Sequence, residues 1–303
     1  MSPNMFYEVP CILCSRCDYE VVFDAGEAQK HRIVRCKHCN FLYASPRELV
    51  YEHQDEPEEE LIFQVNGYYK QRCNKEEHQV TDYVKTRQLL DSLYPDRGKV
   101  LEVGSGFGYL LSSFRDDGWD VTGCDPWKAA CSFARATHGI DARPVILEDA
   151  CIANHTFDVV IMNHVIEHMP DPLLSLREIN RVLKPGGHLV IETPRYDTFM
   201  FKLLGRRERS ISCDEHIYFF TSESLEKLYS LAGFRRVKQW YTGRTLSLER
   251  LMWNLGVMSK NERIKSFLAF ISRNLRLNKV RIYLNTHDMQ RVCVQKSQSP
   301  RDK

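Results

Sequence analysis

The sequence predicts an α/β fold in which a mainly parallel sheet carries helices on both faces, preceded by a small cysteine-rich unit. Three observations predict it. A short apolar run enters a glycine-rich turn at residues 104–108, and a helical pattern follows. Further apolar runs alternate with helical patterns as far as residue 194, as βαβ units require. Two close pairs of cysteines stand within the first 40 residues.

The glycine-rich turn is the most specific local signal. Residues 100–108 read VLEVGSGFG, an apolar run followed by three glycines at alternate positions. Glycine permits positive φ and lets a ligand lie close to the backbone, and a strand–turn–helix unit of this kind builds a nucleotide-sized pocket. The dinucleotide fingerprint G-x-G-x-x-G does not fit, because its third glycine would fall on Tyr109.

The elements after this turn continue the alternation. A strand over 120–124 precedes Asp125, which lies about 20 residues beyond the glycines, where α/β nucleotide sites place an acid for the ribose hydroxyls. Residues 157–163 are apolar and rich in β-branched side chains, which predicts another strand. Asp171 and a proline at the first helical position begin a helix that stops at the KPGG run, and a strand over 188–194 follows.

The flanking segments supply the remaining elements. A helix over 79–93 precedes the first strand of the main sheet. Thr221 caps a helix that ends at Gly233, and a strand follows over 234–241. Apolar residues at helical spacing predict a helical insertion over 246–280, and residues 289–295 form the last strand.

The cysteines are concentrated near the start of the chain. Two close pairs about 20 residues apart have the spacing of a zinc ribbon, in which each pair lies on a tight turn. Spacing alone favours Cys14 and Cys17 as the first pair, since they leave 18 residues before Cys36. Four thiolates leave no open position, so the zinc would be structural. Five of the 11 cysteines compete for the four places: Cys11, Cys14, Cys17, Cys36 and Cys39.

Composition and charge exclude several classes of protein. A net charge of +2 gives no general attraction to nucleic acid. No run of 18 apolar residues occurs, so we expect no membrane span, and the first residues lack the pattern of a signal peptide. We therefore expect a cytoplasmic protein whose cysteines are reduced. The odd number of cysteines also argues against a complete disulfide framework.

The segment from residue 157 to 194 carries a family resemblance. It reads FDVVIMNHVIEHMPDP and, further on, EINRVLKPGGHLVIETP; GCDPWKAACSFA precedes it and DEHIYFFTSESLEKLYSLAGF follows it. Together with the glycine turn, these strings resemble class I S-adenosylmethionine-dependent methyltransferases over residues 65–245. The resemblance is greatest to the small-molecule branch that includes ubiquinone O-methyltransferases and natural-product and sugar methyltransferases. It implies a seven-stranded Rossmann-like sheet.

The resemblance also implies a cofactor site at the ends of the strands. Glu102 and the glycine turn would hold the amino-acid end of the cofactor, and Asp125 would accept the ribose hydroxyls. The family's usual acid after the third strand aligns with Ile146, so Glu148 or Asp149 would replace it at the adenine edge. The full expected set is Glu102, Gly104, Gly106, Gly108, Asp125, Pro126, Trp127, Leu147, Glu148 and Asn163.

Three histidines are candidates for catalysis. His164 and His168 follow the strand over 157–163, and His216 precedes an aromatic run. The resemblance implies that a histidine before this run often faces the pocket. Histidine can act as a general base because its ordinary pKa is close to neutral pH. The alternatives are that these side chains only pack or cap, or that proximity of donor and acceptor suffices without a base.

The resemblance selects a different first cysteine pair from the one that spacing favours. Members of the branch often open with C-x-x-C, a strand and a second C-x-x-C, which favours Cys11 and Cys14 with Cys36 and Cys39, and leaves Cys17 in reserve. The family usually has glycine after each pair, where this chain has Ser15 and Asn40. Asparagine tolerates the left-handed conformation, so the departure is greater at Ser15.

These observations divide the chain and assign it a function. We expect a zinc ribbon over 1–46, a linker and lid over 47–80, a core over 81–245 that the strand in 281–297 completes, a helical insertion over 246–280 and a disordered tail over 298–303. The insertion would roof the acceptor site or form a homodimer face.

The expected reaction is methyl transfer from S-adenosylmethionine to a hydroxyl or activated carbon of a sugar, polyketide-like or quinone-like metabolite. Three other functions compete. In the first, the ribbon binds RNA or protein, and the chain is a binding module or a macromolecule methyltransferase. The second is a catalytically silent scaffold, and the third is an NAD-linked enzyme. The near-neutral charge and the sequence NHVI after residue 162, in place of an NPPY-like tetrapeptide, argue against the first.

Overall fold

A computed structural model describes residues 7–26, 31–47, 78–207, 211, 216–247 and 281–297. The predicted linker and lid over 47–80 lies outside the described residues except at its two ends, as do residues 248–280 of the predicted insertion and the tail from 298. No helix among the described residues is long and apolar enough to cross a membrane.

A small antiparallel sheet forms the amino-terminal unit. Its first three strands are β1 (Tyr19–Phe23), β2 (Ile33–Cys36) and β3 (Leu42–Ala44). Within the described residues a fourth strand, Tyr218–Phe219, pairs with β3 and comes from the other end of the chain. Sheet pairing therefore joins the cysteine-rich unit to the rest of the molecule.

A mixed sheet of seven described strands forms the core, as predicted. In chain order its strands are β4 (Lys99–Val103), β5 (Asp120–Cys124), β6 (Asp141–Arg143), β7 (Phe157–Asn163), β8 (Leu183–Pro194), β10 (Phe234–Ser247) and β11 (Arg281–Lys296). The label β9 is given to the Tyr218–Phe219 strand of the small sheet. Their spatial order is β10-β11-β8-β7-β4-β5-β6. The five strands from β8 to β6 run parallel, and β11 lies antiparallel between β8 and β10.

The order of the strands fixes where a ligand can bind. From β4 the chain proceeds outward through β5 and β6, and then returns to the other side of β4 as β7. A crevice opens at the carboxyl ends of the strands where the direction of winding reverses, which here is between β4 and β7.

Helices cover the sheet. They are α1 (His78–Leu93), α2 (Tyr109–Asp116), α3 (Lys128–His138), α4 (Pro172–Val182), α5 (Phe199–Leu204) and α6 (Ser222–Leu231). Asp171 caps α4 as predicted, because its carboxylate accepts the backbone N–H groups of Leu173 and Leu174. Thr221 caps α6 and forms a capping box with Ser224.

Strand boundaries differ from the sequence prediction in three strands, β8, β10 and β11. Strand β8 begins at Leu183, five residues before the predicted start, because Pro185 disfavours helical backbone at Lys184. Strand β10 continues to Ser247, so the first two residues of the predicted helical insertion are extended instead. Strand β11 likewise begins at Arg281, before the predicted residue 289, and pairs with the extension of β10.

Candidate functional site

The glycine turn after β4 is shaped by close contacts. Gly104 has φ +72°, and a Cβ there would lie 2.3 Å from Cγ2 of Val165. Gly106 has φ +49° and no atom within 4 Å of the position of a Cβ. Gly104 is therefore required by packing, whereas Gly106 leaves the backbone open to a ligand at the mouth of the crevice.

Asp125 fixes the turn from the neighbouring strand end. Its Oδ2 accepts the backbone N–H of Gly106 at 2.8 Å, and its Oδ1 accepts that of Trp127 at 2.9 Å. Charge-assisted bonds of this kind hold both the carboxylate and the two loops in one orientation. The structure thus brings together two loops that the sequence separates by about 20 residues.

Glu102 and Asn163 meet across the crevice. Asn163 Nδ2 donates to Glu102 Oε1 over 3.4 Å, and Glu102 is only 4% exposed. Burial, opposed by this hydrogen bond and reinforced by Asp125, raises the pKa of Glu102 to about 8. Glu102 Oε2 and Asn163 Oδ1 are buried acceptors without a hydrogen-bond partner. Two buried oxygens without partners at neighbouring strand ends predict a ligand group that carries N–H donors.

The remaining predicted cofactor residues lie along the same edge. The indole of Trp127 is half-buried and packs edge-on against Phe107, with ring centroids 5.1 Å apart. Leu147 is buried in a 3₁₀ turn over Leu147–Asp149. Glu148 accepts a hydrogen bond from the Ser175 hydroxyl of α4. The Glu148 carboxylate is therefore engaged by helix α4.

His164 lies between two buried carboxylates. It has φ +54°, and its Nδ1 and Nε2 lie 3.5 Å and 3.3 Å from oxygens of Glu167 and Glu192. Desolvation lowers the pKa of His164, but the two carboxylates outweigh it and raise that pKa to about 9. The protonated imidazole is favoured at neutral pH, and that form cannot accept a proton, which argues against the predicted role of His164 as a general base.

Glu192 has a second cationic partner that the sequence did not reveal. Arg291 of β11 is fully buried, forms an ion pair with Glu192 and donates from Nη1 to the Thr86 hydroxyl at 2.8 Å. Burial opposes ionisation of Glu192, but Arg291 and His164 lower its pKa to about 2. A polar pair on two adjacent buried strands has no local sequence signature, since 99 residues separate its members.

The other two predicted histidines converge with Glu167. The ring centroids of His168 and His216 lie 4.6 Å apart, and one ligand atom from each of these three residues lies within 4.8 Å of the other two. The Glu167 side chain is fully buried, and its Oε2 accepts the Thr193 hydroxyl at 2.9 Å. Glu167 was not among the predicted site residues, although it lies between the predicted residues His164 and His168 in the sequence.

A separate group of four thiols lies in the small sheet. Sγ atoms approach to 3.4 Å between Cys11 and Cys39 and between Cys14 and Cys36, and Cys17 is exposed and outside the group. The two turns share one hydrogen-bond pattern, in which the residue after each pair donates to the carbonyl of the first cysteine, at 2.7 Å from Ser15 and 2.9 Å from Asn40. Four thiols within 4.8 Å of one another have the donor set of a structural zinc site: Cys11, Cys14, Cys36 and Cys39.

Comparison with known proteins identifies the family of the chain. A family model described as a methyltransferase domain matches residues 73–239, more than half of the 303-residue chain. The chain belongs to this methyltransferase family. It is a class I S-adenosylmethionine-dependent methyltransferase, with the Rossmann-like seven-stranded sheet that the sequence predicted.

Curated relatives are similar to about a third of this methyltransferase. A ubiquinone biosynthesis O-methyltransferase from Vibrio parahaemolyticus is 34% identical over 116 residues, which is 35% of this chain and 49% of the relative. One from Aliivibrio fischeri is 32% identical over 119 residues, 36% of this chain and 50% of the relative. The chain spans about half the length of the curated relatives it matches.

Solved structures share the fold. An S-adenosylmethionine-dependent methyltransferase from Archaeoglobus fulgidus aligns with a TM-score of 0.51 at 17% identity, covering 78% of this chain and 99% of that one. A further S-adenosylmethionine-dependent methyltransferase, from Thermotoga maritima, has a TM-score of 0.50 at 20% identity with the same coverage, 78% and 99%. At these identities the likeness describes the fold and not the acceptor.

Proposed function

We propose that this methyltransferase transfers a methyl group to a hydroxyl or activated carbon of a small-molecule metabolite, of sugar, polyketide-like or quinone-like type. The observation that carries the proposal is the polar crevice at the switch between β4 and β7, where Glu102 and Asn163 present unsatisfied acceptors beside the open Gly106. The curated relatives act in ubiquinone biosynthesis, which supports a small-molecule acceptor.

The crevice fits the two ends of the cofactor. The ammonium group of the methionine end would satisfy Glu102 Oε2 and Asn163 Oδ1, both buried without a partner. Asp125 is held by two backbone amides at the next strand end, where ribose hydroxyls can donate to it. The adenine would pack against Pro126 and Trp127, and its edge would face Leu147 and Glu148. Glu148 would then accept a hydrogen bond from the adenine in place of the one from the Ser175 hydroxyl.

The main task of the protein in this reaction is to hold the methyl donor and the acceptor in line. When bound, S-adenosylmethionine would supply a methyl carbon activated by the sulfonium. The acceptor atom would bond to that carbon as the carbon–sulfur bond breaks and S-adenosylhomocysteine leaves, and the proton of the acceptor would pass to His216 or to water. The glycine turn and Asp125 hold the donor end, and the group of Glu167, His168 and His216 provides a polar wall for the acceptor. Fixed alignment of two reactants contributes about 7–11 kcal/mol to such a reaction.

We also propose that zinc holds the amino-terminal ribbon through Cys11, Cys14, Cys36 and Cys39. The four thiols converge in the structure, and a unit of three short strands has little core of its own. The zinc would be structural, since four thiolates leave no position for a substrate. A reducing cytoplasm would keep these thiols available, which supports a cytoplasmic location.

A direct assay tests the proposed reaction. Purified protein is incubated with methyl-labelled S-adenosylmethionine and separate panels of catechols, glycosides, total RNA and a protein mixture. We expect label in the small-molecule panels and loss of that label in Asp125→Ala. Label that enters RNA or protein instead would contradict the proposal and favour a macromolecule methyltransferase.

A further inference from the structure

We infer that Arg291 is a positioning residue of this methyltransferase. Through Glu192 it holds the turn at His164, and that turn holds Asn163 at the edge of the crevice. The inference rests on the proposed contact between Asn163 and the methionine end of the cofactor. It adds to the site a side chain from β11, far from the glycine turn in the sequence.

The register of the sheet is the first argument. Asn163 of β7 lies opposite Glu192 of β8, and Glu192 lies opposite Arg291 of β11. Residues paired in this way direct their side chains to the same face of a sheet. The three side chains therefore form a row across adjacent strands, near the edge where the crevice opens. Arg291 lies at the end of the row away from the glycine turn.

The contacts of Arg291 are the second argument, because they hold its guanidinium from several sides. Arg291 is fully buried, and its Nε and Nη2 both face Oε2 of Glu192. Nη1 donates to the buried hydroxyl of Thr86 at 2.8 Å, and the guanidinium carbon lies 4.2 Å from the centroid of the Tyr83 ring. Two residues of α1 thus fix a planar, forked group whose geometry lysine does not reproduce.

Glu192 connects this fixed guanidinium to the turn after β7. Its other oxygen, Oε1, lies 3.3 Å from Nε2 of His164, and its backbone carbonyl accepts the N–H of His164 at 2.9 Å. The second imidazole nitrogen, Nδ1, faces Oε1 of Glu167 at 3.5 Å. Glu192 therefore holds His164 at both its backbone and its side chain.

The backbone conformation of His164 explains why the turn needs such support. Its φ of +54° is left-handed, which residues with a side chain rarely adopt, and it persists only where surrounding contacts hold it. Asn163 comes directly before this residue, and its Oδ1 is one of the buried acceptors proposed to receive the cofactor ammonium. The direction of Asn163 therefore depends on His164, and through Glu192 on Arg291.

The energetics of buried ion pairs support a positioning role for this pair. Removing two charges from water costs much of the energy that their attraction returns, so apolar residues of similar size often stabilise a fold equally well. Glu192 and Arg291 are both buried, and Oε1 of Glu192 faces His164 beside the crevice. A charged pair directs that oxygen at the imidazole, whereas an apolar pair has no such oxygen to direct.

Titration calorimetry with S-adenosylhomocysteine tests the inference in the full chain, because this ligand keeps the methionine end and needs no acceptor. We expect its affinity to weaken about tenfold in Arg291→Met. In a His164→Gln background the same substitution should have almost no further effect, since Arg291 acts through His164. Residues that act through one another lose additivity in this way, whereas the effects of independent residues add.

Matched variants and a spectroscopic signal separate positioning from folding. Arg236→Met removes a surface arginine of the neighbouring strand β10 that pairs with Glu226, and it should bind the ligand as the unmodified protein does. The imidazole signals of His164 in nuclear magnetic resonance spectra, assigned with His164→Gln, should shift in Arg291→Met and not in Arg236→Met. If Arg291→Met fails to fold, the double variant with Glu192→Gln replaces it, because that variant removes both buried charges.

The outcomes are distinct. Affinity within about twofold of that of the unmodified protein in folded Arg291→Met or its double variant, or unchanged His164 signals, would overturn the inference and leave the methyltransferase proposal intact. An equal loss of affinity with and without His164→Gln would also contradict it, because Arg291 would then act by another route. Failure of the unmodified protein to bind S-adenosylhomocysteine would instead count against the proposed function itself.

Discussion

Glu102 illustrates how one buried carboxyl connects ligand binding to pH. Its pKa is raised to about 8 by burial, so the free protein holds it protonated at neutral pH. A ligand ammonium beside it favours the carboxylate, and binding then releases a proton. Below the pKa, affinity must rise with pH, since each unit of pH lowers the cost of that release.

This coupling gives the first prediction. The affinity for S-adenosylhomocysteine should rise between pH 5.5 and 7.5, by up to about tenfold per unit of pH. In Glu102→Gln the dependence should disappear, whereas Glu226→Gln, a control at a half-buried surface side chain far from the glycine turn in sequence, should keep it. Calorimetry at several pH values measures the affinity, and an equal slope in unmodified protein and Glu102→Gln would contradict the account.

A second prediction concerns backbone conformation in the ribbon. Ser15 and Asn40 both have left-handed backbone, with φ +57° and +58°. A residue with a side chain pays about 1–2 kcal/mol for this conformation, and asparagine less than serine. Ser15→Gly should therefore raise the free energy of unfolding by about 1 kcal/mol, and Asn40→Gly by less.

Urea unfolding of zinc-loaded protein measures both changes. Ser113→Gly, on helix α2, is the contrasting control and should be destabilised by about 1 kcal/mol, because glycine is a poor helix former. Destabilisation by Ser15→Gly of the same size as in this control would mean that Ser15 carries no conformational strain.

Single residues also show where sequence reasoning ends. The turn glycines, Asp125 and the four converging cysteines were predicted because fixed spacings or a family pattern mark them. The ion pair of Glu192 and Arg291 was not, because a buried charge is recognised only once its distant partner is in place. The same reason hid the approach of Glu167 to His216.

At the scale of elements, the pairing of β3 with β9 connects the ribbon to the segment that we propose lies on the acceptor side of the crevice. Ala44 donates its backbone N–H to the carbonyl of Ile217 at 2.8 Å, directly after His216. Arg47 is buried and donates to the carbonyl of Pro170 at 3.1 Å and to the Tyr218 hydroxyl at 2.5 Å. The ribbon therefore supports the segment that carries His216.

The third prediction tests this support. Arg47→Met should destabilise the protein by about 2–3 kcal/mol, since it removes two buried hydrogen bonds from a charged donor. It should also raise KM for the acceptor and leave affinity for S-adenosylhomocysteine nearly unchanged, because Arg47 contacts the segment near His216 and not the glycine turn.

Arg35→Met provides the matched control for that variant. Arg35 lies on β2 of the same small sheet and pairs with Glu20 in an exposed ion pair, which is worth less than about 1 kcal/mol. Thermal unfolding and steady-state kinetics on both variants give the comparison. Equal effects from Arg47→Met and Arg35→Met would show that the ribbon does not support the acceptor side.

Element boundaries were predictable only in part. Strands β5 and β7 match their predicted bounds because a polar residue, Asp125 or Asn163, marks where each apolar run ends. Strands β10 and β11 extend beyond their predictions because their outer halves pair with each other, and polar sequence on a two-stranded extension carries no burial pattern. Strand β9 has two residues, too few for any periodic signal.

At the scale of the whole molecule, the winding of the sheet assembles the site. Glu102 lies one residue before the end of β4, Asp125 follows β5 directly and Asn163 ends β7, so residues 61 positions apart in sequence reach one edge of three neighbouring parallel strands. The fold was predictable because its motifs occur in the order that this winding requires. The acceptor was not, because a fold of this kind serves many substrates.

Titration calorimetry of the purified chain with S-adenosylhomocysteine tests the central claim most directly. We predict one site per chain, affinity weakened about 10–100-fold in Asp125→Ala by loss of a charge-assisted contact, and no change in the exposed control Asp120→Ala. Saturating ligand at 100 times its Kd should stabilise the protein by about 2.7 kcal/mol. Absence of heat and of a thermal shift with both S-adenosylmethionine and S-adenosylhomocysteine, at concentrations up to about 1 mM, would contradict the assignment of this crevice as the cofactor site.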